Sequence, residues 1–151
     1  MAAAFLTAAA CSQQTPYKPV TTVKELMKAT VDPESDEVFN AAVWINGVPS
    51  GNPKTDAEWE AVKNHALTLA EAGNLLMMPG RAKDQLGWMS RADDLVNAGL
   101  AAAKAADTKS MDNMFQAGGH LALVCDGCHE QYPPAVVAPA AATPPAAAPS
   151  H

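Results

Sequence analysis

The chain has 151 residues and a formal net charge of −6 at pH 7, with 48% of its residues hydrophobic but only 5% aromatic. That length suits one domain with a core of its own, and the acidic balance leaves no basic patch for phosphates, which argues against nucleic acid as a partner. The apolar residues are largely alanine, a strong helix former and a poor strand former, so composition alone points to an all-α fold.

The chain opens on a short apolar run, AAAFLTAAA, followed by Cys11-Ser12 and a polar stretch. This resembles the end of a bacterial lipoprotein signal peptide, in which cleavage makes the cysteine the lipidated first residue. No Lys or Arg precedes the run, and Leu6 lies five residues before Cys11. Residues 1–18 are thus expected to be an export leader and linker, with Cys11 either a lipid anchor or removed with the leader. The run is too short to span a bilayer as a helix. The expected location is periplasmic, with or without a tether to the membrane.

Four helical segments follow. The first, TTVKELMKATVDPESDEVFNAAVWING, carries two short apolar stripes, Val23-Met27-Val31 and Val38-Ala42-Ile45. Asp32-Pro33 lies between them, where Asp can cap and Pro can open a new first turn, so this helix is expected to be kinked or broken there. VPSGNPK reads as a loop. Thr55 and Glu58 form a capping-box pattern for the second helix, whose apolar face is Trp59, Val62, Ala66, Leu69, Leu76 and Met77. MMPG ends it at Pro79-Gly80. The third helix is predicted from about Ala82 to Ala106, with Leu86, Met89, Leu95, Gly99 and Ala102 inward. Asp107 or Thr108 is expected to cap the fourth, whose stripe is Met111, Met114, Gly118, Leu121, Cys125 and Cys128. Nothing alternates with period two for long enough to predict a strand. The rest, residues 133–151, is little but Pro, Ala and Val and reads as an extended, mobile tail. The domain is therefore residues 19–132, and four helices with short loops pack most simply as an antiparallel up-and-down bundle.

The fourth helix ends in VCDGCHEQYPP. Cys125 and Cys128 are three residues apart and share one helix face with Leu121, and His129, four after Cys125, points from the same side. Two thiols so placed can reach two vinyl groups on the edge of a macrocycle while the imidazole behind them reaches its iron, and C-x-x-C-H is the spacing read as c-type haem attachment. A thioredoxin-like dithiol would follow a strand in a βαβ unit, and here the preceding residues are helical. A zinc site needs four ligands, and the nearest further candidate, His120, lies about 180° around the helix from His129.

A four-helix chain with C-x-x-C-H on its last helix resembles the class II cytochromes c, the cytochrome c′ family, over about residues 20–132. MFQAGGHLALVCDGCHEQY is similar to that family's last helix. The resemblance implies one covalent haem c inside the bundle, with thioether bonds at Cys125 and Cys128 and His129 as the proximal ligand. The family's first helix often carries a YRKALM-like segment whose last residue lies over the iron; TVKELM matches it in spacing and puts Met27 there. Methionine at that position marks the low-spin, electron-carrying members, whereas an apolar residue leaves the iron five-coordinate and open to nitric oxide or carbon monoxide. The chain departs from the family at Pro133, where Arg or Lys is common, and at Val23, where arginine is usual; Lys24, Arg81 or Arg91 could then partner the propionates.

The functional expectation is a monohaem cytochrome that carries single electrons between periplasmic donor and acceptor proteins, with a gas-binding protein of the same family as the alternative. A homodimer is allowed, as in the family. No paired carboxylates or nucleophile–base arrangement suggests an enzyme. Met77 and Met78 read as end-of-helix packing, Met111 and Met114 as core, and Trp59 and Trp88 as core aromatics that could also stack near a macrocycle. His65 reads as a boundary residue, His120 as a solvated one and His151 as the end of the tail. The acidic clusters Asp32–Glu37 and Asp93-Asp94 read as solvated helix surface.

Overall fold

Thr22 starts the first helix. Its hydroxyl accepts the Glu25 backbone N–H at 3.2 Å, and the Glu25 carboxylate accepts the Thr22 N–H at 2.8 Å, a reciprocal capping box. From α1 (Val23–Leu26) the chain runs through a π-helical turn (Met27–Val31) into α2 (Asp32–Asn40). The run expected to be kinked or broken near Asp32-Pro33 is not broken: Asp32 keeps right-handed helical angles, φ −60° and ψ −56°, and the irregularity is the π turn that ends directly before it at Val31. Pro33 has no N–H to donate, and in a regular helix its ring would crowd the carbonyl four residues back. The widened turn makes room, and the Asp32 N–H bonds the Met27 carbonyl, five residues back. The computed structural model describes residues 17–50 and 53–134, and these form a mostly helical fold.

Helix α2 stops at Asn40, and the stripe expected to continue to Ile45 does not. Instead β1 (Val43–Ile45) pairs antiparallel with β2 (Val48–Ser50), Val43 opposite Ser50 and Ile45 opposite Val48. Asn46 and Gly47 join them with φ of 51° and 77°, the left-handed pair whose twist suits a two-residue hairpin.

Helix α3 (Asp56–Leu76) begins as read, with Thr55 and Glu58 in a reciprocal capping box. Helix α4 (Gly87–Asp107) starts five residues later than predicted, because the Asp84 carboxylate accepts the N–H groups of Leu86 and Trp88 at 3.0 and 3.1 Å and fixes the first turn there. Leu86, expected inward, is 85% exposed as a result. Helix α5 (Met111–Gln131) is capped by Ser110 and not by Asp107 or Thr108. Those two residues complete α4, and Lys109, at φ 52°, turns the chain before a new cap can form.

Helices α3 and α4 run antiparallel. Lys63 pairs with Asp107 at 2.9 Å near one end, while Gly73 lies against Ala92 and Val96 toward the other. Between them Gly99 lets the backbones touch: a Cβ at this position would stand 2.7 Å from both the Ala66 carbonyl oxygen and the Ala70 nitrogen. Helix α5 is antiparallel to α4, with Arg91 donating to Gln131 at 3.3 Å. Glu34 on α2 meets His65 on α3 at 2.6 Å. Val38, Leu69, Met114 and Leu121 are fully buried where these elements meet. Among the described residues no helix is long and apolar enough to cross a membrane.

Candidate functional site

The last three turns of α5 face the π-helical turn and α2 across a largely apolar cavity of about 260 Å³. Met27, Val31, Ser35 and Phe39 line one wall, and Ala122, Val124, Cys125, Cys128 and His129 line the other. The buried Leu76 and Leu95 close it against the α3–α4 pair. A second groove of about 190 Å³ shares Phe39 and Ala122 with it, so open space continues along the α2–α5 seam past Gly118 and Gly119. The residues read from the sequence as carrying the chemistry therefore converge: Cys125, Cys128, His129 and Met27 all border one space.

Their environments differ. Cys125 and Cys128 are half-buried and form no disulfide among the described residues, Met27 is half-buried against the core, and His129 is exposed. Burial pushes the Cys125 thiol up from its ordinary range, and the carboxylates of Asp126 and Asp32 and the neighbouring Cys128 add to this. Burial also raises Cys128, with the Arg91 guanidinium opposing and Asp94 assisting. Both groups are thus held as neutral thiols at pH 7, unlike the thiolate of a reactive dithiol.

Among the described residues Arg91 is the one lysine or arginine on the cavity lining. Its guanidinium donates to Gln131, stands 3.6 Å from Asp94, and packs over Gly127, whose substitution by any larger residue would bring a Cβ within 3.2 Å of it. Of the three basic residues weighed as propionate partners, Arg91 alone borders the cavity. Lys24 is exposed, and Arg81 is buried elsewhere, donating to the Thr21 carbonyl at 3.2 Å, the Thr21 hydroxyl at 2.9 Å, the Leu75 carbonyl at 3.1 Å and the Met78 sulfur at 3.3 Å.

Past His129 the helix ends in a small network. Tyr132 donates to Asp84 and packs edge-on against Trp88 with ring centroids 5.0 Å apart, and the Trp88 indole donates to the Leu76 carbonyl at 2.8 Å. Sequence reasoning missed this network, together with Ser35 and Phe39. Asp84, two residues before the exposed Leu86, was legible as a cap, whereas no sequence signal joins it to Tyr132. His65 is occupied by Glu34, and His120 is exposed. Cys11 and His151 lie outside the described residues.

Among the described residues no group of three or more His, Cys, Asp or Glu side chains is arranged to hold a metal ion by itself. The cavity brings together two thiols, an imidazole and a thioether, with Asp32, Arg91 and Asp126 also on its lining. Comparison of the chain with protein-family models, with curated proteins and with solved structures finds no match.

Proposed function

We propose that the chain is an exported monohaem cytochrome that carries single electrons between periplasmic partners. Its helices would form an antiparallel four-helix bundle of the class II type, in which the α1–α2 run counts as the first helix. The reading rests on one observation: Met27 and the Cys125-x-x-Cys128-His129 motif line the same apolar cavity from facing walls. Cys125 and Cys128 would hold the haem through thioether bonds, and His129 and Met27 would bind its iron. Haem c, when bound, supplies one-electron chemistry, and a methionine–histidine ligand pair raises its potential.

The protein's own part is exclusion and tuning. Val31, Phe39, Leu76, Leu95 and Val124 present hydrocarbon to the site and would lower its polarity. Met27 would supply a thioether ligand to the iron and so compete with a gas for it. Arg91 is the counter-charge available to an acidic edge of the group. Export through residues 1–18, with or without a lipid at Cys11, would deliver the chain to the compartment where covalent haem attachment takes place.

One set of spectra tests the reading. Expressed with a haem c maturation system, the protein should retain its haem through acid-acetone extraction and lose that attachment when Cys125 and Cys128 are both replaced by Ala. Its ferric form should be low-spin with a weak methionine–iron charge-transfer band, and its ferrous form should resist carbon monoxide. A high-spin spectrum with rapid carbon monoxide binding would assign the gas-binding function. Absence of covalent haem would reject both.

A further inference from the structure

We propose that the π-helical turn Met27–Val31 is a phase corrector: its one extra residue is what brings Met27 onto the cavity-lining face of α2. The inference rests on the reading of Met27 as an axial ligand and names the device that aims it.

Met27, Ser35 and Phe39 all line the cavity, yet Met27 precedes Ser35 by eight residues and Phe39 by twelve. In an uninterrupted α-helix, at about 100° per residue, those steps would leave Met27 about 80° from Ser35 and about 120° from Phe39. A π turn takes one residue out of the count. The steps become effectively seven and eleven, and Met27 falls within about 20° of both. The same correction applies to the core. Leu26 is 4% exposed and Val38 is 0% exposed; they too are twelve residues apart, and only the shortened count lines them up.

Both flanks of the turn are anchored, so the extra residue cannot be absorbed by rotating either one. Upstream, the Thr22–Glu25 capping box fixes the start of α1, and the buried Arg81 holds Thr21 through its carbonyl and its hydroxyl. Downstream, Val38 is enclosed and Glu34 is bound to His65. Pro33 favours the widened turn over a regular helix, since it offers no N–H to the carbonyl four residues back. Pro33 is thus a positioning residue for Met27, acting through the turn before it.

The test removes the extra residue and the proline together. Deleting the exposed Ala29 in a P33A background makes a regular helix of the same phase. The haem-loaded variant should keep the low-spin ferric spectrum, the methionine–iron band and resistance to carbon monoxide, and its thermal midpoint should stay within a few degrees of the parent. Deleting Ala29 and Thr30 together in that background turns α1 a further step of about 100°. Met27 then leaves the cavity, Leu26 enters it, and Glu25 swings into the place that Leu26 held. That variant should lose the band, bind carbon monoxide and melt roughly 10 °C or more below the parent. Loss of the band in the single-deletion variant, or its retention in both, overturns the proposal. The melting pair reports phase without reference to iron: a parent protein that is itself high-spin rejects Met27 as a ligand, while the two midpoints still decide whether the turn sets the register.

Discussion

The phenolic hydroxyl of Tyr132 donates to the carboxylate of Asp84, which also accepts two backbone N–H groups at the start of α4. One carboxylate therefore organises the beginning of α4 and ties down the end of α5, three residues beyond the histidine of the motif.

This bond makes stability depend on pH at both extremes. Asp84 is lowered from 3.8, first by the Tyr132 hydroxyl and then by the Trp88 N–H, so its contribution is complete above that value and fades as pH falls through the depressed one. Tyr132 is raised from 10.0 to about 12 by its bond to Asp84, so its contribution is complete below pH 10 and fades as pH rises through about 12. In thermal melts Y132F should fall below the parent across the middle of the range and converge with it at either end. A constant offset from pH 3 to 12 would show that the hydroxyl acts by packing alone.

Met27 is half-buried against the core, and leucine is close to it in volume. M27L should change unfolding free energy by less than about 1.5 kcal/mol in a urea titration. The haem-loaded variant should nonetheless become high-spin and bind carbon monoxide, since the thioether donor is gone while the apolar wall stays. An unchanged spectrum would assign the sixth ligand to another residue.

Two glycines make opposite forecasts. G99A sets a Cβ 2.7 Å from the backbone of α3, while a Cβ on Gly119 meets nothing within 4 Å. Equilibrium unfolding should find G99A destabilised by about 1–3 kcal/mol, overpacking outweighing the helix-propensity gain of about 1 kcal/mol. G119A, with the gain alone, should be stabilised by up to about 1 kcal/mol.

Among the described residues Arg91 is the only lysine or arginine bordering the cavity. A positive charge there favours the reduced form of a bound redox group, which carries one positive charge fewer. R91Q should therefore lower the midpoint potential measured by redox titration, and R91K should recover part of the difference. Equal potentials in all three would place the bound group out of electrostatic range of Arg91.

Much of this was legible in the residues, and the failures have physical causes. The Thr55–Glu58 box and the stripe of α3 were readable because capping and a 3.6-residue period are local properties. Cys125, Cys128 and His129 stood out by their spacing and Met27 by the resemblance of TVKELM, and the structure brings the four to one cavity. The hairpin was missed because two three-residue strands give no alternation, and Val38-Ala42-Ile45 imitates a helical stripe across them; Asn46-Gly47 was the available sign. The π turn was hidden because Val23-Met27-Val31 looks like an ordinary helix face, and only the burial of Leu26 and Val38 together reveals the missing step. Asp84 and Tyr132 are 48 residues apart, and no pattern along the chain announces their meeting.

Arg81 has a practical consequence for how the molecule is handled. By holding Thr21 to the end of α3, it brings the described chain in at the pole where α5 carries it out, beside Trp88 and Tyr132. The described chain therefore enters and leaves at the His129 end, while the β1–β2 hairpin, whose Trp44 lies by Asp112 and Phe115 near the start of α5, belongs to the opposite pole. Coupled to an electrode through a residue at that pole, such as Tyr17, the protein would stand with its candidate redox site toward the metal. To present that site to a soluble partner instead, the molecule would be better attached at the hairpin.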